Sequence, residues 1–307
     1  MRKVKVFAPA TVANVGCGFD VMGLALEGIG DEITITQRAD SKIVISKITG
    51  ADLPYDPNNN VVGAALKALL AEHDQAIGVD IEIDKKVMPG SGLGSSASSS
   101  AGIVVAANIL LGNPFSKNDL VRFAMEGERL ASKKPHADNV AASIYGGFVL
   151  IRSISPLDII PINYPDNLVI TIAHPQIEVK TAEAKKMLKE SVRLDDAITQ
   201  WGNTAGLVAG LMKGDYDLIG RSIMDVVAEP IRSLLIPFYH EAKQKAREAG
   251  AIGFNISGSG PAMFAITNDL GKAEKIKSVL HHIYESNGIP INCYISGISS
   301  GGVSEKI

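Results

Sequence analysis

The residues best suited to chemistry form a glycine- and serine-rich segment between residues 89 and 102. It lies between a predicted strand, Val79–Val87, and a predicted helix, Ser95–Leu111. Glycines let backbone N–H groups converge on one point, and a helix amino terminus adds unpaired donors and the positive end of its dipole. A flexible linker has no such flanking elements. The segment therefore predicts a cradle for the phosphates of a nucleotide, formed by Pro89, Gly90, Ser91, Gly92, Leu93, Gly94, Ser95, Ser96, Ala97, Ser98 and Ser99.

Two better-known phosphate loops do not fit this segment. A Walker A loop ends in Gly-Lys-Ser or Gly-Lys-Thr, whereas the segment contains no lysine. A dinucleotide-binding fingerprint has the spacing Gly-x-Gly-x-x-Gly, with an acidic residue about 20 positions later. Here Gly90, Gly92 and Gly94 alternate with other residues, and the next acidic residue is Asp119. The segment thus indicates a different class of nucleotide loop.

Two further glycine-containing segments flank the first one. Residues 8–23 read Ala-Pro-Ala-Thr-Val-Ala-Asn-Val-Gly-Cys-Gly-Phe-Asp-Val-Met-Gly, and residues 256–262 read Ile-Ser-Gly-Ser-Gly-Pro-Ala. Together with Pro-Gly-Ser-Gly-Leu-Gly-Ser-Ser-Ala at residues 89–97, they resemble the three motifs of the GHMP kinases, which include galactokinase and mevalonate kinase. The resemblance implies ATP and Mg²⁺ as cofactors. It also implies an α+β fold of two domains, the first like ribosomal protein S5 and the second ferredoxin-like.

The first motif is most similar to that of the GHMP kinases that phosphorylate homoserine. Segments 136–139, 179–185 and 229–237 resemble the same branch. Two residues depart from its pattern. Cys17 stands in place of a proline, and Lys185 stands where an arginine usually helps to hold the substrate carboxylate, so that the charge is kept but the bidentate fork is lost. The resemblance implies conversion of L-homoserine and ATP to O-phospho-L-homoserine and ADP in threonine biosynthesis.

Homoserine itself requires three kinds of partner. Its ammonium needs an anion, its carboxylate needs a cation, and its hydroxyl needs a hydrogen-bonding group. Asp20 suits the ammonium, and Arg232, with Lys185, suits the carboxylate. Asn14 and Asn139 can bond the hydroxyl or the ammonium, because an amide both donates and accepts. By resemblance, these five residues line the substrate pocket.

The nucleotide end of the site needs oxygen ligands for a hard cation. The family's positions for Mg²⁺ correspond to Ser96 and Glu128, with Glu126 as the neighbouring alternative. Asn60 is the candidate adenine contact. A loose transition state lets alignment and charge neutralisation supply most of the catalysis, so that a strong base is not required.

Asp138 is nevertheless a candidate base, because in mevalonate-type relatives the corresponding region supplies an aspartate proposed for that role. The sequence leaves open whether Asp138 or its neighbour Asn139 faces the hydroxyl. The expected catalytic set is therefore Asn139, Asp138, Ser96 and Glu128.

Hydrophobic periodicity predicts the elements that must position these residues. The predicted strands are Val4–Ala8, Glu32–Gln37, Lys42–Ile48, Val79–Val87, Phe148–Ile154, Leu168–Ala173, Pro261–Ile266 and Asn292–Ser296. One predicted helix starts after Asn60 as its N-cap, and the others are Ser95–Leu111, Lys117–Ala131, Lys180–Lys189, Asp195–Lys213, Tyr216–Ala228, Phe238–Ala249 and Gly271–Ser286. Strands and helices do not alternate one for one, which favours α+β.

The chain has 307 residues, of which 46% are hydrophobic, and a net charge of −3. That length favours two domains, which we expect at residues 1–160 and 161–307, with the proline-containing segment up to Asn167 as the connection. The absence of a basic block argues against nucleic acid, and the longest apolar run is too short for a membrane span. Two distant cysteines fit a reducing compartment, so we expect a soluble cytoplasmic enzyme. The family resemblance also implies that the protein forms a homodimer.

Other functions are consistent with the same motifs. The alcohol could be mevalonate or a sugar, or the protein could be a catalytically silent nucleotide sensor that keeps the fold. Without the resemblance, Asn14 and Asp20 would be taken as residues that cap turns.

Overall fold

A computed structural model describes residues 2–73, 77–133, 136–177, 188 and 191–306. The predicted helix Lys180–Lys189 lies outside these ranges except for Leu188, and Lys185 lies outside them as well. The described residues form two sheets, with helices packed on both.

The first sheet has seven strands. Its strands are β1 (Lys3–Ala13), β2 (Met22–Arg38), β3 (Ile43–Thr49), β4 (Gly78–Asp84), β5 (Phe148–Ile154), β6 (Leu157–Ile162) and β11 (Ser304–Glu305). The order is β11-β1-β2-β4-β3, and β5 branches off to pair with both β2 and β6. The pairing of β1 with β2 changes register between Pro9 and Thr11. A bulge of this kind re-aims the side chains beside it.

The second sheet has four strands in the order β10-β7-β9-β8. They are β7 (Val169–Pro175), β8 (Gly253–Ile256), β9 (Met263–Thr267) and β10 (Ile291–Ser296), and their pairings are antiparallel. Mixed helices and two largely antiparallel sheets confirm the α+β prediction.

Nine α-helices are described, and two of those in the first half begin with side-chain caps. Those of the first half are α1 (Val61–Leu70), α2 (Ser95–Leu111), α3 (Lys117–Ser132) and α4 (Asp138–Tyr145), and those of the second half are α5 (Leu194–Lys213), α6 (Tyr216–Ser222), α7 (Glu229–Arg232), α8 (Tyr239–Glu248) and α9 (Leu270–Ser286). Ser116 and Asp119 form a capping box at the start of α3, which satisfies two orphan donors. Asn60 accepts a hydrogen bond from Val62 N at 3.1 Å and caps α1.

Small residues let α2 run through the interior. A Cβ at Gly102 would stand 2.7 Å from Ile33 on β2, so no larger residue fits that crossing. One apolar core lies between the first sheet and α1–α4, and another lies between the second sheet and α8 and α9. A third core joins the two halves through residues such as Leu24, Phe148 and Phe264.

Several elements differ from the sequence predictions. The predicted helix Tyr216–Ala228 is wrong beyond Ser222, where α6 ends. The segment predicted as a connection contains β6, whose Pro161 is tolerated because this strand pairs only with β5 and an edge strand can lack one donor. The predicted boundary at residues 160 and 161 falls inside β6, and β11 returns to the first sheet.

No helix in the described part of the chain is long and apolar enough to cross a membrane.

Candidate active site

The three glycine-containing motifs meet at one polar cleft between the two sheets. The cleft has a volume of about 720 Å³. Predicted site residues that line it are Asn14, Asp20, Pro89, Gly90, Gly92, Gly94, Ser95, Ser96, Ser99, Glu128, Asp138, Asn139 and Arg232. Gly258 and Ser259, from the third motif, line it as well. One concave site therefore contains most of the residues that the sequence singles out.

The glycine loop places its backbone at the floor of this cleft. Gly90, Gly92 and Gly94 have φ values of +76°, +84° and +67°, which side-chain-bearing residues adopt with strain. Gly94 is also the N-cap of α2 and carries no side chain there. The first N–H groups of α2, at Ser95 and Ser96, have no intrahelical partner. Loop and helix together form an anion-binding site.

Other segments hold the loop through its carbonyl oxygens. Thr11 N donates to Leu93 O at 3.1 Å, and Ala262 N donates to Ser91 O at 3.0 Å. The Ser257 hydroxyl donates to Gly92 O at 2.7 Å. Ser91 N and Leu93 N donate locally, to Met88 O and to Ser91 Oγ, each at 3.3 Å. Among the described residues, the N–H groups of Gly90, Gly92 and Gly94 have no such partner, so they are left for a ligand.

Some predicted nucleotide-loop residues point into the protein instead. Ser91, Leu93, Ala97 and Ser98 are buried and do not line the cleft. Ser98 donates its hydroxyl hydrogen to Ala8 O at 2.7 Å. These side chains hold the loop in place. The same residues can contact the nucleotide only through their backbone atoms.

Asn60 likewise uses its side chain within the fold. Its oxygen caps α1, and its Nδ2 donates to Pro54 O at 2.7 Å. It does not line the cleft, although Leu53 and Val61 do. The adenine contact stays a prediction.

A buried ion pair lies beneath the loop. Lys85 Nζ pairs with the Asp31 carboxylate and also donates to Ser95 O at 2.9 Å and to Ser99 Oγ at 3.1 Å. Asp31 further accepts from the backbone of Lys86 at 2.9 Å. Burial lowers the pKa of Lys85, and the charge of Asp31 opposes that effect. The pair ties β2 and the end of β4 to the first turn of α2. No sequence motif predicts this pair.

The first motif presents Asp20 through a strained turn. Asn14, Val15 and Asp20 have φ values of 67°, 45° and 57°, a region that is costly for a β-branched residue such as valine. Asn14 accepts from Asp20 N at 3.0 Å and donates to Gly258 O at 3.1 Å. Asn14 thus orders the turn and joins it to the third motif.

Arg232 is the cation of the cleft and lies beside the same turn. It is 6% exposed, and its Nη1 donates to Gly258 O at 2.6 Å. Its guanidinium lies 5.1 Å above the ring of Phe19, which supports a cation–π contact. Burial lowers its pKa, and the charges of Asp20, Asp225 and Asp138 oppose this. An arginine nevertheless stays charged, so the cleft presents a cation facing anions.

The acidic residues of the cleft differ in environment. Asp138 is buried, and that burial together with the charge of Asp20 raises its pKa to about 7. His136 Nδ1 lies 3.6 Å from Asp20 Oδ1. Glu128 is buried and lines the cleft, whereas Glu126 pairs with Arg129 at 3.0 Å on the exposed face of α3. The geometry therefore favours Glu128 over Glu126 as the cleft carboxylate.

A second cavity, of about 740 Å³, lies beside the cleft along α5. The described residues that line it carry no charged side chain. This described lining has no charge to pair with a phosphate or with an amino acid, so the polar cleft is the candidate active site.

The chain is similar to known kinases in both sequence and structure. The family model "GHMP kinases N terminal domain" matches residues 60–147, and "GHMP kinases C terminal" matches residues 207–286. The chain is 46% identical to a homoserine kinase of Chloroherpeton thalassium, covering 92% of this chain and 93% of that protein. It is 44% identical to a homoserine kinase of Chlorobaculum tepidum, covering 98% of each. A crystal structure of homoserine kinase from Cytophaga hutchinsonii is 45% identical, superposes with a TM-score of 0.96 and covers 100% of this chain and 98% of that one.

Proposed function

We propose that the protein phosphorylates L-homoserine in this cleft, because the chain belongs to the GHMP kinase family and within it to the homoserine kinases. The γ-phosphoryl group of ATP passes to the side-chain hydroxyl, which yields O-phospho-L-homoserine and ADP. The observation that carries this proposal is the meeting, in one cleft, of an anion-binding loop with a cation and an anion suited to an amino acid.

The acceptor end recognises both charges of homoserine. Arg232 holds the carboxylate, and its stacking on Phe19 fixes the plane of the guanidinium. Asp20 holds the ammonium, and Asn14 keeps the Asp20 turn in place. Lys185 would add a second cation at the carboxylate, as proposed from the family pattern. A zwitterion satisfies such a site, whereas a neutral sugar leaves buried Arg232 without an anion.

The nucleotide end holds the ATP phosphates on the loop N–H groups and the amino terminus of α2. Ser96 and Glu128 would hold Mg²⁺, and both line the cleft. The described residues contain no cluster of three or more His, Cys, Asp or Glu that could bind a metal. A hydroxyl and one carboxylate nevertheless fit Mg²⁺, which binds through few protein oxygens together with phosphates and water. When bound, Mg²⁺ neutralises charge on the phosphates.

Asp138 is the proposed proton acceptor for the homoserine hydroxyl. A carboxyl group with a pKa near 7 takes up and releases protons at neutral pH, and burial gives Asp138 that property. Asn139, one residue later at the start of α4, contacts the reacting groups through its amide. Alignment of the alcohol with the phosphoryl group supplies the remaining catalysis.

We further propose, from the family alone, that the product feeds threonine biosynthesis, that the enzyme works in the cytoplasm and that it forms a homodimer.

A coupled assay of ADP formation tests the proposal. We expect turnover with L-homoserine and little with mevalonate, galactose or no acceptor. Turnover that prefers mevalonate or galactose would contradict the substrate, and binding of ATP without turnover of any acceptor would favour a sensor.

Arg232→Ala tests the acceptor end. We expect it to weaken homoserine binding by about 1.5–3 kcal/mol, the usual contribution of a charged hydrogen bond, with the KM for ATP unchanged. Arg152→Ala, which removes an exposed arginine on β5, is the matched control and leaves both constants unaltered. An equal loss of ATP affinity in Arg232→Ala would assign the residue to the nucleotide site or to the fold.

A further inference from the structure

Among the described residues, the side chain of Thr11 makes one hydrogen bond, and its partner is a predicted catalytic residue. Thr11 lies on β1 directly after the register shift and is fully buried. Its Oγ1 donates to Asn139 Oδ1 at 2.6 Å. The sequence places these residues 128 positions apart, and nothing in the motif pattern indicated that they meet.

The length of this bond fixes the orientation of the Asn139 amide. In proteins the donor–acceptor distance of an O–H···O hydrogen bond ranges over about 2.5–3.0 Å, whereas that of an N–H···O bond is centred near 2.9–3.0 Å. A separation of 2.6 Å therefore identifies the amide oxygen as the atom that faces Thr11. Nδ2 points the other way, and among the described residues it has no hydrogen-bond partner.

The Thr11–Asn139 pair lies against the end of the glycine loop. A Cβ at Gly94 would stand 2.1 Å from Thr11 Oγ1 and 2.8 Å from Asn139 Oδ1. Asn139 also lines the cleft together with Gly94 and Asp20. The amide thus lies between the phosphate loop and the acceptor side of the cleft.

We infer that Thr11 is a positioning residue, which turns Asn139 so that it offers only N–H donors to the reacting oxygens. This inference rests on the proposed phosphoryl transfer. An amide held in this way stabilises negative charge on the transferred phosphoryl group or the alcohol oxygen. Because Oδ1 is turned toward Thr11 and accepts its hydroxyl, Nδ2 is the side-chain group that faces the reacting oxygens.

Variants of the two residues test the inference by steady-state kinetics with ATP and L-homoserine. Thr11→Val removes the hydroxyl and keeps the shape, and we expect kcat to fall about tenfold while the KM for ATP changes less than about twofold. Thr11→Ser keeps the donor and retains most of the activity. In an Asn139→Ala background, Thr11→Val should have no further effect. An equal fold loss in both backgrounds, or an equal loss in Thr11→Ser, would overturn the inference.

Asn139→Asp provides a second test that leaves Thr11 intact. An aspartate accepts on both oxygens and donates on neither, so we expect kcat to fall about a hundredfold, as for loss of a transition-state donor. Retained activity would show that the position acts as an acceptor and would contradict the inference. Melting temperature and ATP binding of each variant control for folding. If the wild-type enzyme turns over another alcohol instead of homoserine, the proposed substrate fails, and the same cycle run with that alcohol still tests Thr11.

Discussion

At the scale of single residues, Asp138 couples the chemistry of the cleft to the stability of the fold. Burial and the charge of Asp20 raise its pKa to about 7, compared with about 3.9 for an unfolded aspartate. The folded protein therefore binds a proton more tightly than the unfolded chain between these pH values. This contribution to stability is fully present below pH ~4 and is lost as the pH rises through ~7.

We predict that Asp138→Asn flattens the pH dependence of stability. The difference in pKa corresponds to about 4 kcal/mol between the two limits, as an order of magnitude. The variant should be more stable than the wild type at pH 8 and should gain little at pH 4. Urea unfolding at several pH values measures this, with Asp52→Asn, an exposed aspartate, as control. Parallel profiles for wild type and Asp138→Asn would contradict the prediction.

Residue types in a motif indicate chemistry, but they do not indicate which atom faces the ligand. The sequence singled out Asn14, whose amide in the structure bonds the Asp20 and Gly258 backbones. It did not single out Thr11 or Lys85, because a threonine in a strand and a lysine at a strand end are ordinary surface residues by pattern. Their burial depends on contacts with segments far away in the chain.

At the scale of elements, α7 shows how a short helix presents a functional side chain. It has four residues and ends at Arg232. The Asp225 carboxylate accepts from the backbone N–H groups of Val227, Ala228 and Glu229 at 2.8, 3.0 and 2.9 Å. A helix this short is not stable by itself, so the carboxylate maintains its first turn.

We predict that Asp225→Ala weakens homoserine binding without direct loss of a substrate contact. It should destabilise the protein by about 2–3 kcal/mol, because several donors lose a charged acceptor, and it should raise the KM for homoserine more than that for ATP. Asp215→Ala is the matched control. Asp215 caps α6 through Leu218 N at 2.9 Å, and its loss should cost about 1 kcal/mol without a change in either KM. If the two variants shifted both KM values alike, Asp225 would have no special link to Arg232.

The elements that sequence patterns predicted well are long and periodic. The helix over Ser95–Leu111 and the strand over Phe148–Ile154 have the predicted limits. The missed elements include α4 and β8, of eight and four residues, which are too short for a periodic signal. The prediction that the helix starting at Tyr216 continues to Ala228 is wrong, because the Asp225 carboxylate accepts hydrogen bonds from the backbone N–H groups at the start of the next helix.

At the scale of the whole molecule, the phosphate loop of the first half and the third glycine motif of the second half meet through close backbone contacts. A Cβ at Gly92 would stand 2.7 Å from Ser257 O and 2.8 Å from Gly260 O. Ala262 N donates to Ser91 O across the same junction. Of the 30 glycines in the chain, Gly92 is therefore explained by this close approach.

We predict that Gly92→Ala destabilises the protein more than Gly90→Ala does. Both glycines have positive φ, so both substitutions introduce strain of about 1 kcal/mol. A Cβ at Gly90 meets no protein atom within 4 Å, whereas one at Gly92 adds steric overlap of about 1–3 kcal/mol. Urea unfolding without nucleotide measures the difference. Equal losses of stability in the two variants would show that the two loops can move apart by the few tenths of an ångström that the added Cβ requires.

The ion pair beneath the phosphate loop limits how this sequence can change over evolution. Lys85 and Asp31 lie 54 positions apart and are both buried. Replacement of either one alone leaves an uncompensated buried charge, which costs about 3–5 kcal/mol. Replacement of both by apolar residues removes that charge cost, but it leaves the backbone N–H groups of Lys86 and Val87 without their acceptor. Descendants of this protein should therefore keep both residues, and a library that randomises the two positions together should recover mainly folded members that retain an acceptor at position 31.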